Sequence, residues 1–385
     1  MLSDVYFPRI NGVSTSIETF RQEFLERGHR VTLVVPAYGR GEGAEADVVR
    51  VPSRYVVLDP EDRLMRPREV LRLTEELRPA GYDLLHVHTP FAAHYTGVAL
   101  ARRLGIPRVE TYHTFFEEYL YHYASFLPRG LTRGLARHFS RRQCNAMDAV
   151  VVPSSAMAER LQHYGVRVPL AVLPTGIRLE RFVDGDGASF RARNGIGPER
   201  RVLVYVGRVA HEKNIAFLLE VAARMRRDHP EILLLIAGEG PALNPLRQVV
   251  RRRGLGDHVR FVGYLSRRGE LEDCYRAGDA FVFASRTETQ GLVLLEAMAL
   301  GVPVVSTAVM GTRDVLRDGE GALIAAEDVE DFAAKLRRLL ADPELRRRLG
   351  EAGRAYAARW SSGALAEGML AFYAQVLDGS RREGD

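Results

Sequence analysis

The sequence predicts an α/β protein with two Rossmann-like domains, each built on a doubly wound sheet of parallel strands. Short apolar, β-branched runs alternate with longer helix-period patterns along all 385 residues, which is typical of repeated strand–helix–strand units. Most of these runs are continuously apolar, as expected for parallel strands that helices cover on both faces. The predicted strands are residues 31–35, 84–88, 108–112, 149–152 and 170–173, then 202–206, 232–237, 259–262, 280–284, 302–306 and 322–325.

A linker between the two sets of strands sets the domain boundaries. The polar, glycine-rich stretch 183–188 has the composition of such linkers. It predicts an N-terminal domain over 1–178 and a C-terminal domain over 179–360, each large enough for its own core. A last helix within 361–385 could pack on either domain, including a return to the N-terminal one. The predicted helices are 15–27, 66–77, 216–227, 331–340 and 363–377.

The start of the chain departs from this pattern. Only residues 1–3 precede the loop at 7–12, although a first strand is expected there. Either this strand is very short or the chain begins upstream of Met1.

Composition excludes several classes of protein. With 46% apolar and 27% charged residues, the chain is neither wholly disordered nor a disulfide scaffold. Cys144 and Cys274 lie far apart without ligand-like spacing, which indicates a reducing compartment and argues against structural zinc. No secretory pattern and no apolar run of about 18 residues is found, so we expect a cytoplasmic protein. The net charge of +5 is mixed along the chain and argues against nucleic-acid binding.

The loop after strand 202–206 predicts a diphosphate site. Ligands of open α/β sheets bind beyond the carboxyl ends of the strands, and Gly207, Arg208 and Lys213 follow this strand end. Lys213 is one of only two lysines, with Lys335, in a chain that otherwise uses arginine. A planar guanidinium and a point charge near a helix start both suit phosphate. The alternative is a basic loop exposed to solvent.

The segment after strand 280–284 carries two glutamates eight residues apart. Glu288 follows the strand, and the next helix, which opens with Gly291, Leu292 and Val293, offers free N–H groups to a phosphate. Glu296 lies within that apolar helix, where a lone carboxylate needs hydroxyl or cationic partners. A ribose diol would satisfy it, and a buried arginine is the structural alternative. The pattern suits a nucleotide-sugar pocket.

Weaker signals follow other strand ends. The turn at Gly238, and Tyr264 with Leu265, could border a nucleobase, although ordinary strand–helix turns are as good an explanation. His113 follows strand 108–112 and would face a ligand held by the other domain, unless it is a packing residue. His86 and His88 share a strand face but lack a third ligand at sensible spacing, which excludes a metal site.

Residues 129–142 form a basic and apolar segment. Arginines and apolar residues each recur every four positions, so one helix would present both stripes. Such a helix suits an anionic lipid surface, whereas an ordinary surface helix would pack its apolar stripe inward. The basic stripe is Arg133, Arg137 and Arg141, and the apolar stripe is Leu131, Leu135 and Phe139.

Together these motifs resemble the retaining glycosyltransferases of family 4, which have the GT-B fold with two domains facing a central cleft. The resemblance rests on the loop from Gly207 to Lys213, the Glu288–Glu296 pair, and Asn11 with Gly12. The stretches 88–91 and 112–119 are most similar to those of bacterial diacylglycerol glucosyltransferases and related lipid or mannosyl transferases.

The resemblance implies a role for each matching residue. Arg208 and Lys213 would neutralise the departing diphosphate, Glu288 would bind donor-sugar hydroxyls and Glu296 the ribose. The other implied donor contacts are the backbone of Gly291 and Leu292 with Val293, Gly238, Tyr264 and Leu265 at the base, His113 at the sugar, and Gly12 at the diphosphate.

The resemblance also implies the partners and the reaction. The donor would be a nucleotide-diphospho sugar such as UDP-glucose or GDP-mannose, used as a co-substrate without metal or other cofactor. The acceptor would attack on the face that the leaving group vacates. We expect a lipid or lipid-linked acceptor at the inner face of the cytoplasmic membrane, with peripheral contact to anionic lipid. A soluble acceptor, a sugar-nucleotide epimerase and a nucleic-acid-binding protein remain as alternatives.

Overall fold

In the computed structural model, which describes residues 1–9, 11–39, 45, 47–56, 59–113, 129–266 and 269–382, the chain divides into two units. Unit 1 comprises Met1–Gly176 and Ser362–Asp385, and unit 2 comprises Ile177–Ser361. The strands are β1 Leu33–Pro36, β2 Val48–Val51, β3 Ser53–Val56, β4 Asp59–Met65, β5 Leu85–Val87, β6 Arg108–Thr111, β7 Ala149–Val152, β8 Leu170–Val172, β9 Arg201–Val206, β10 Ile232–Ala237, β11 Val259–Gly263, β12 Ala280–Phe283, β13 Val304–Ser306 and β14 Ala322–Ile324.

The helices alternate with these strands in both units, as the periodicity predicts. They are α1 Gly12–Glu26, α2 Pro67–Arg72, α3 Thr74–Leu77, α4 Ala92–Leu104, α5 Arg129–Cys144, α6 Ser155–His163, α7 Gly187–Arg193, α8 Ile215–Met225, α9 Leu243–Arg252, α10 Glu270–Arg276, α11 Leu292–Ala299, α12 Thr312–Val315, α13 Val329–Ala341, α14 Pro343–Ala357 and α15 Ser362–Arg382.

Every predicted strand from 31–35 onward is present within one or two residues of its predicted bounds, apart from the chain start. Sequence reasoning missed β2, β3 and β4. The hairpin strands β3 and β4 pair antiparallel and have the polar sequences SRYV and DPEDRLM, so they carry no apolar run to reveal them. The predicted helix 66–77 is broken at Leu73 into α2 and α3.

The chain start in unit 1 lies between β1 and β5. Leu2 forms parallel bridges with both Val34 and Val87, and its amide donates to the carbonyl of His86 at 2.8 Å. These bridges join β2 and β1 to β5, β6, β7 and β8, so the lateral order is β2, β1, Leu2, β5, β6, β7, β8. The expected first strand is therefore reduced to a single bridging residue at the centre of the sheet.

The last helix packs on the core of unit 1. Met369 and Phe372 of α15 are buried in one cluster with Phe20 and Phe24 of α1. Ser362 at the start of α15 also donates to the buried carboxylate of Glu23 at 2.5 Å. Burial of such large side chains stabilises by about 1.5–3 kcal/mol each, which accounts for the return of the C-terminus to unit 1.

Unit 2 contains a single six-stranded parallel sheet among its described residues. The lateral order is β11, β10, β9, β12, β13, β14, which is the order of a dinucleotide-binding fold. The first strand of the unit, β9, is central, and the chain leaves it first toward β10 and later toward β12. The sheet order therefore reverses between β9 and β12, and a ligand is expected beyond the carboxyl ends of these two strands.

Candidate active site

The loops after β9 and β12 meet through an ion pair. The Nζ of Lys213 lies 2.7 Å from Oε2 of Glu288. Only 20% of the Lys213 side chain and 19% of the Glu288 side chain are exposed, so solvent screens this pair less than it screens a surface pair. Two of the residues that the sequence singles out are thus in direct contact at the place where the sheet order reverses.

The loop after β9 turns sharply before the next helix. Residues His211–Lys213 form one turn of 3-10 helix, and Asn214 adopts φ +54° before α8 begins at Ile215. Lys213 is therefore held in the turn before α8, near the helix start as the sequence predicts. Arg208 is exposed, and its carbonyl accepts a hydrogen bond from the buried Tyr205 hydroxyl at 3.1 Å, which holds the loop against the end of β9.

Glycines let the strand-end loops lie backbone against backbone. The amide of Gly238 donates to the carbonyl of Gly263 at 2.7 Å, and the amide of Gly207 donates to Ala237 at 3.0 Å. Gly238 has φ +131°, and a Cβ on it would lie 2.0 Å from the carbonyl oxygen of Gly207. Only glycine fits at Gly238. The predicted turn at Gly238 is thus an extension of the sheet that keeps side chains away from this edge.

Helix α11 begins beside Glu288. Gly291, with φ +100°, is its N-cap residue and has no side chain to cap the first turn. The amide of Gly311 donates to the carbonyl of Glu288 at 2.9 Å and holds the preceding loop. The amides of Leu292 and Val293 open the helix, and amides at a helix N-terminus suit an anion.

Glu296 lies on the second turn of α11 and is 2% exposed. Its Oε2 accepts a hydrogen bond from the Tyr275 hydroxyl of α10 at 2.7 Å. The sequence suggested a ribose or a buried arginine as the partner, and the structure places a tyrosine there. The assignment of Glu296 to a ribose stays a prediction.

The two residues expected at the base differ in exposure. Tyr264 is 53% exposed, whereas Leu265 is 8% exposed and belongs to the core of unit 2. An exposed ring can stack on a base, while Leu265 has only its backbone to offer.

In unit 1, His113 lies after β6 and contacts another histidine. Its Nε2 is 3.3 Å from Nδ1 of His88, and burial lowers the pKa of His113 from 6.5 to about 4. The imidazole is therefore neutral at pH 7. The rings of His86 and His88 pack in a tilted arrangement with centroids 4.0 Å apart. No group of His, Cys, Asp or Glu in the described parts of the chain is arranged to hold a metal ion.

Gly12 is the first residue of α1. The N-cap is Asn11, whose Oδ1 accepts from the amide of Ser14 at 2.9 Å while the Ser14 hydroxyl binds the Asn11 amide. This reciprocal capping box satisfies part of the helix end. A Cβ on Gly12 would meet no atom within 4 Å, so the backbone there is open. The following stretch of the resemblance, residues 114–119, lies outside the described residues.

Two family models match the chain in succession. The model for Glycosyltransferase Family 4 matches residues 10–181, and the model for Glycosyl transferases group 1 matches residues 187–356. An alpha-monoglucosyldiacylglycerol synthase of Streptococcus pneumoniae (strain ATCC BAA-255 / R6) is 31% identical over 355 residues, 90% of this chain and 79% of that protein. The chain belongs to the family 4 glycosyltransferases. This membership decides for glycosyl transfer against the epimerase and nucleic-acid-binding alternatives.

Other relatives of this glycosyltransferase differ in their names, and solved structures share its fold. A D-inositol 3-phosphate glycosyltransferase of Streptomyces bingchenggensis (strain BCW-1) is 33% identical, over 79% of this chain and 69% of that protein. Sucrose-phosphate synthase of Thermosynechococcus elongatus superposes with a TM-score of 0.79 at 23% identity, covering 98% of both chains. Anabaena HepE in complex with UDP-glucose gives 0.76 at 18% identity, over 97% of this chain and 99% of that one. The predicted GT-B fold is confirmed.

Helix α5 of the glycosyltransferase carries the basic stripe. The side chains of Leu131 and Arg133 lie outside the described residues. The guanidinium of Arg137 stands 5.7 Å from the Tyr164 ring centroid, and Arg141 is exposed. Arg141, Asn145, Gly165, Arg167 and Val168 line a surface hollow of about 590 Å³.

The buried face of α5 is not the predicted apolar stripe. Ala136, Ser140, Gln143 and Cys144 are buried, whereas Leu135 is 52% exposed. Arg141 and Arg142 are exposed like Leu135, and Phe139 is half-buried. Among the described helices, none is both long and apolar enough to cross a bilayer.

Proposed function

We propose that this glycosyltransferase is a retaining enzyme that moves a hexose from a nucleotide-diphospho sugar to a lipid or lipid-linked acceptor at the inner face of the cytoplasmic membrane. The observation that carries the proposal is the Lys213–Glu288 ion pair, 2.7 Å long, where the unit 2 sheet order reverses. A cation and a carboxylate side by side match a donor that presents a diphosphate next to a sugar.

The opposite charges of Lys213 and Glu288 explain how this pair binds the donor. Lys213 and Glu288 neutralise each other, so a diphosphate that approaches Lys213 competes with Glu288 for the ammonium group. Arg208 and the amides at Leu292 add further positive potential for the phosphates. Glu288, when it shares Lys213 with the phosphate, can accept hydrogen bonds from sugar hydroxyls. The site thus exchanges an internal ion pair for two contacts to substrate.

The remaining proposed donor contacts are those that the family resemblance implies. Glu296, held by Tyr275, accepts from the ribose hydroxyls, and the exposed Tyr264 ring stacks on the base. The backbone at Gly238 and Leu265 borders the base. The same resemblance implies a role for His113 at the donor sugar and for Gly12 at the diphosphate.

The chemistry is a substitution at the anomeric carbon on one face of the sugar. The acceptor hydroxyl oxygen forms a bond to this carbon while the bond to the diphosphate oxygen breaks. The acceptor proton passes to an oxygen of the leaving diphosphate. Lys213 and Arg208 stabilise the charge that develops on that group, and such preorganised electrostatic contacts contribute about 3–4 kcal/mol each to catalysis.

Two observations support a lipid acceptor. The relatives from Streptococcus pneumoniae and Acholeplasma laidlawii are both named alpha-monoglucosyldiacylglycerol synthases. Leu135, Arg141 and Arg142 are exposed on α5, and exposed apolar and basic side chains are both features of an interfacial helix. A soluble acceptor is the second candidate, because relatives at 33% identity are named D-inositol 3-phosphate glycosyltransferases.

Thermal shift tests the donor. UDP-glucose, GDP-mannose and their free nucleotides are added singly to the protein, with ATP as a control. A bound donor at about one hundred times its Kd adds about 2.7 kcal/mol of stability. We expect one nucleotide sugar to raise the melting temperature of wild type and to lose this effect in Lys213→Ala. Equal melting temperatures with every nucleotide sugar would contradict the proposed donor class.

Vesicle co-sedimentation tests the acceptor side. The triple variant Arg133→Glu, Arg137→Glu, Arg141→Glu should lose binding to vesicles with about 30% anionic lipid, since each basic residue near such a surface contributes about 1 kcal/mol. The matched control replaces Arg251, Arg252 and Arg253 at the end of α9 in unit 2, with the same charge change. Equal binding by both triple variants would favour the soluble acceptor.

A further inference from the structure

His113 stands at the end of a line of aromatic side chains within unit 1. The Tyr373 hydroxyl of α15 lies 2.5 Å from Nδ1 of His86 on β5. The His86 ring contacts the His88 ring in a tilted arrangement, with centroids 4.0 Å apart. His88 in turn directs Nδ1 at Nε2 of His113, 3.3 Å away. The reaction proposed above uses only His113 of this line.

Contacts made through His86, on the side of His88 away from His113, hold His88 in place. His86 uses both ring nitrogens, because its Nε2 lies 2.7 Å from the Thr111 hydroxyl. His86 and His88 are 2% and 1% exposed, and their ring centroids lie 4.0 Å apart with the planes tilted by 33°. The place of the His88 ring is therefore set in part by packing that does not involve His113, and in this place its Nδ1 faces Nε2 of His113.

Both rings of the contact are neutral. Burial, with the neighbouring histidines, lowers the pKa of His88 well below 6.5, and burial lowers the pKa of His113 to about 4. Two neutral imidazoles that form one hydrogen bond place a single proton between them. Only two arrangements are then possible. Either His88 donates from Nδ1 to His113, or His113 donates from Nε2 to His88.

The second nitrogen of His88 distinguishes these arrangements. Nε2 of His88 is buried, and it has no hydrogen-bond partner among the described residues. If His113 donated from Nε2, the proton of His88 would sit on Nε2 as a buried N–H without an acceptor, and such orphaned donors are rare. If His88 donates from Nδ1, its Nε2 is an unprotonated acceptor, and His113 carries its proton on Nδ1.

We propose that His88 is a positioning residue that holds His113 in the tautomer protonated on Nδ1, so that His113 offers an N–H donor to an oxygen of the nucleotide sugar. The inference rests on the proposed contact between His113 and the donor sugar. A ring fixed in this way donates a hydrogen bond without bringing a positive charge. It also loses no tautomer freedom when the substrate binds, which favours binding in one orientation.

The tautomer can be observed directly by NMR. Long-range ¹H–¹⁵N correlation spectra of histidine-labelled protein at pH 7.5 distinguish protonated from unprotonated ring nitrogens, and His113→Asn assigns the signal. We expect the His113 pattern of an Nδ1–H ring in wild type and a mixture of tautomers in His88→Leu. An Nε2–H pattern for His113 in wild type would overturn the proposal, and no substrate is needed for this measurement.

Two variants of similar size test the consequence for activity. Asparagine places an amide near the position of Nδ1, whereas leucine fills similar space without a donor, so both lose the same ring packing. We expect His88→Asn to keep kcat/KM within about threefold of wild type and His88→Leu to lose about tenfold or more, as for a lost hydrogen bond to a catalytic group. Release of UDP from UDP-glucose and of GDP from GDP-mannose provides the readout.

Equal losses in the two variants would contradict the positioning role. The His113→Ala variant distinguishes failure of the proposed sugar contact of His113 from failure of the positioning role of His88. If His113→Ala retained full activity, the proposed sugar contact of His113 would fail, and the NMR measurement would still decide the proton position. If His113→Ala lost activity while His88→Leu did not, the sugar contact would stand and the positioning role of His88 would be wrong.

Discussion

The two units share one strand order but use its reversal point differently. In unit 2, charged groups face each other there, as Lys213 and Glu288 show. In unit 1, the corresponding carboxylate is Asp4, which is 1% exposed and accepts hydrogen bonds from the Thr89 hydroxyl at 3.0 Å and the Ala93 amide at 2.8 Å. The unit 1 carboxylate is thus satisfied by its own unit.

The helix ends beside these points differ in the same way. Asp4 accepts a hydrogen bond from an amide in the first turn of α4, whereas the N-cap residue of α11, Gly291, makes no side-chain cap. A helix N-terminus without a cap from its N-cap residue can offer its first N–H groups to an anion. At a capped N-terminus, a side chain of the protein already binds one of these groups. The same topology therefore gives one closed, structural site and one site suited to a diphosphate.

The largest expected effect comes from removing the unit 2 cation. Lys213→Ala should lower kcat by about 10²–10³-fold, the range for loss of one group that stabilises developing charge. Lys335→Ala removes the only other lysine, on α13, and is expected to leave turnover within twofold. Steady-state kinetics with circular dichroism on both variants provides the check, and near-normal activity of Lys213→Ala would remove the phosphate role.

Exchange of the two charges separates a structural from a catalytic ion pair. The double variant Lys213→Glu, Glu288→Lys keeps opposite charges in contact, so the melting temperature should stay near that of wild type. Turnover should remain as low as in Lys213→Ala, since the phosphate then meets a carboxylate. Recovery of activity in the double variant would show that the pair only supports the loops.

Residue type and place in the chain were enough to predict both members of this pair. Lysine in an arginine-rich chain, at a strand end, indicates Lys213, and the eight-residue spacing from Glu296 indicates Glu288. Their contact spans 75 residues, and it follows only from the order of β9 and β12 in the sheet. The strands themselves were predictable because parallel strands covered on both faces are continuously apolar.

Side-chain partners were not predictable in the same way. Tyr275 reaches Glu296 from another helix, and neither its spacing nor its type distinguishes it from the other 14 tyrosines. The line from Tyr373 to His113 joins a C-terminal helix to two strands. Such contacts depend on tertiary packing, for which a single sequence contains no local signal.

Replacement of Asp4 in unit 1 should have the opposite effect to replacement of Lys213: it should lower stability and leave activity nearly unchanged. Asp4→Ala leaves the Ala93 amide and the Thr89 hydroxyl without their acceptor, at a cost of about 1–3 kcal/mol. The melting transition of unit 1 should fall by about 2–4 °C for each kcal/mol, and activity of the folded protein should stay within twofold. Asp83→Ala, at an exposed position, is the calorimetric control, and an unchanged melting temperature for Asp4→Ala would contradict the structural role.

Acidification should weaken unit 1 before unit 2. Burial holds the pKa of His113 at about 4 and the pKa values of His86 and His88 well below 6.5. The unfolded chain therefore binds protons that the folded unit does not, so stability is complete above pH 6.5 and falls as the pH drops toward 4. In unit 2 the hydrogen bond from the Arg286 guanidinium lowers the pKa of Glu327. The contribution of the Glu327 carboxylate to the stability of unit 2 is therefore lost only at lower pH.

Hydrogen exchange at pH 7 and pH 5 resolves the units in one sample. Amides of β5, β6 and β7 should lose more protection than those of β9, β10 and β12. His113→Asn should reduce this difference, because it removes one of the groups whose protonation favours unfolding. Equal loss in both units would show that the histidines do not govern acid stability.

Replacement of Glu296 in unit 2 is expected to change activity less than replacement of Lys213. Glu296 is buried like Asp4, and its Oε2 accepts a hydrogen bond from the neutral Tyr275 hydroxyl. Glu296→Gln should raise the donor KM about tenfold with kcat nearly unchanged, which is the signature of lost ground-state binding. Tyr275→Phe removes only the positioning hydroxyl, so a donor KM increase of about threefold is expected. A decrease in kcat without a change in KM would instead place Glu296 at the reacting carbon, and the ribose assignment would then be wrong.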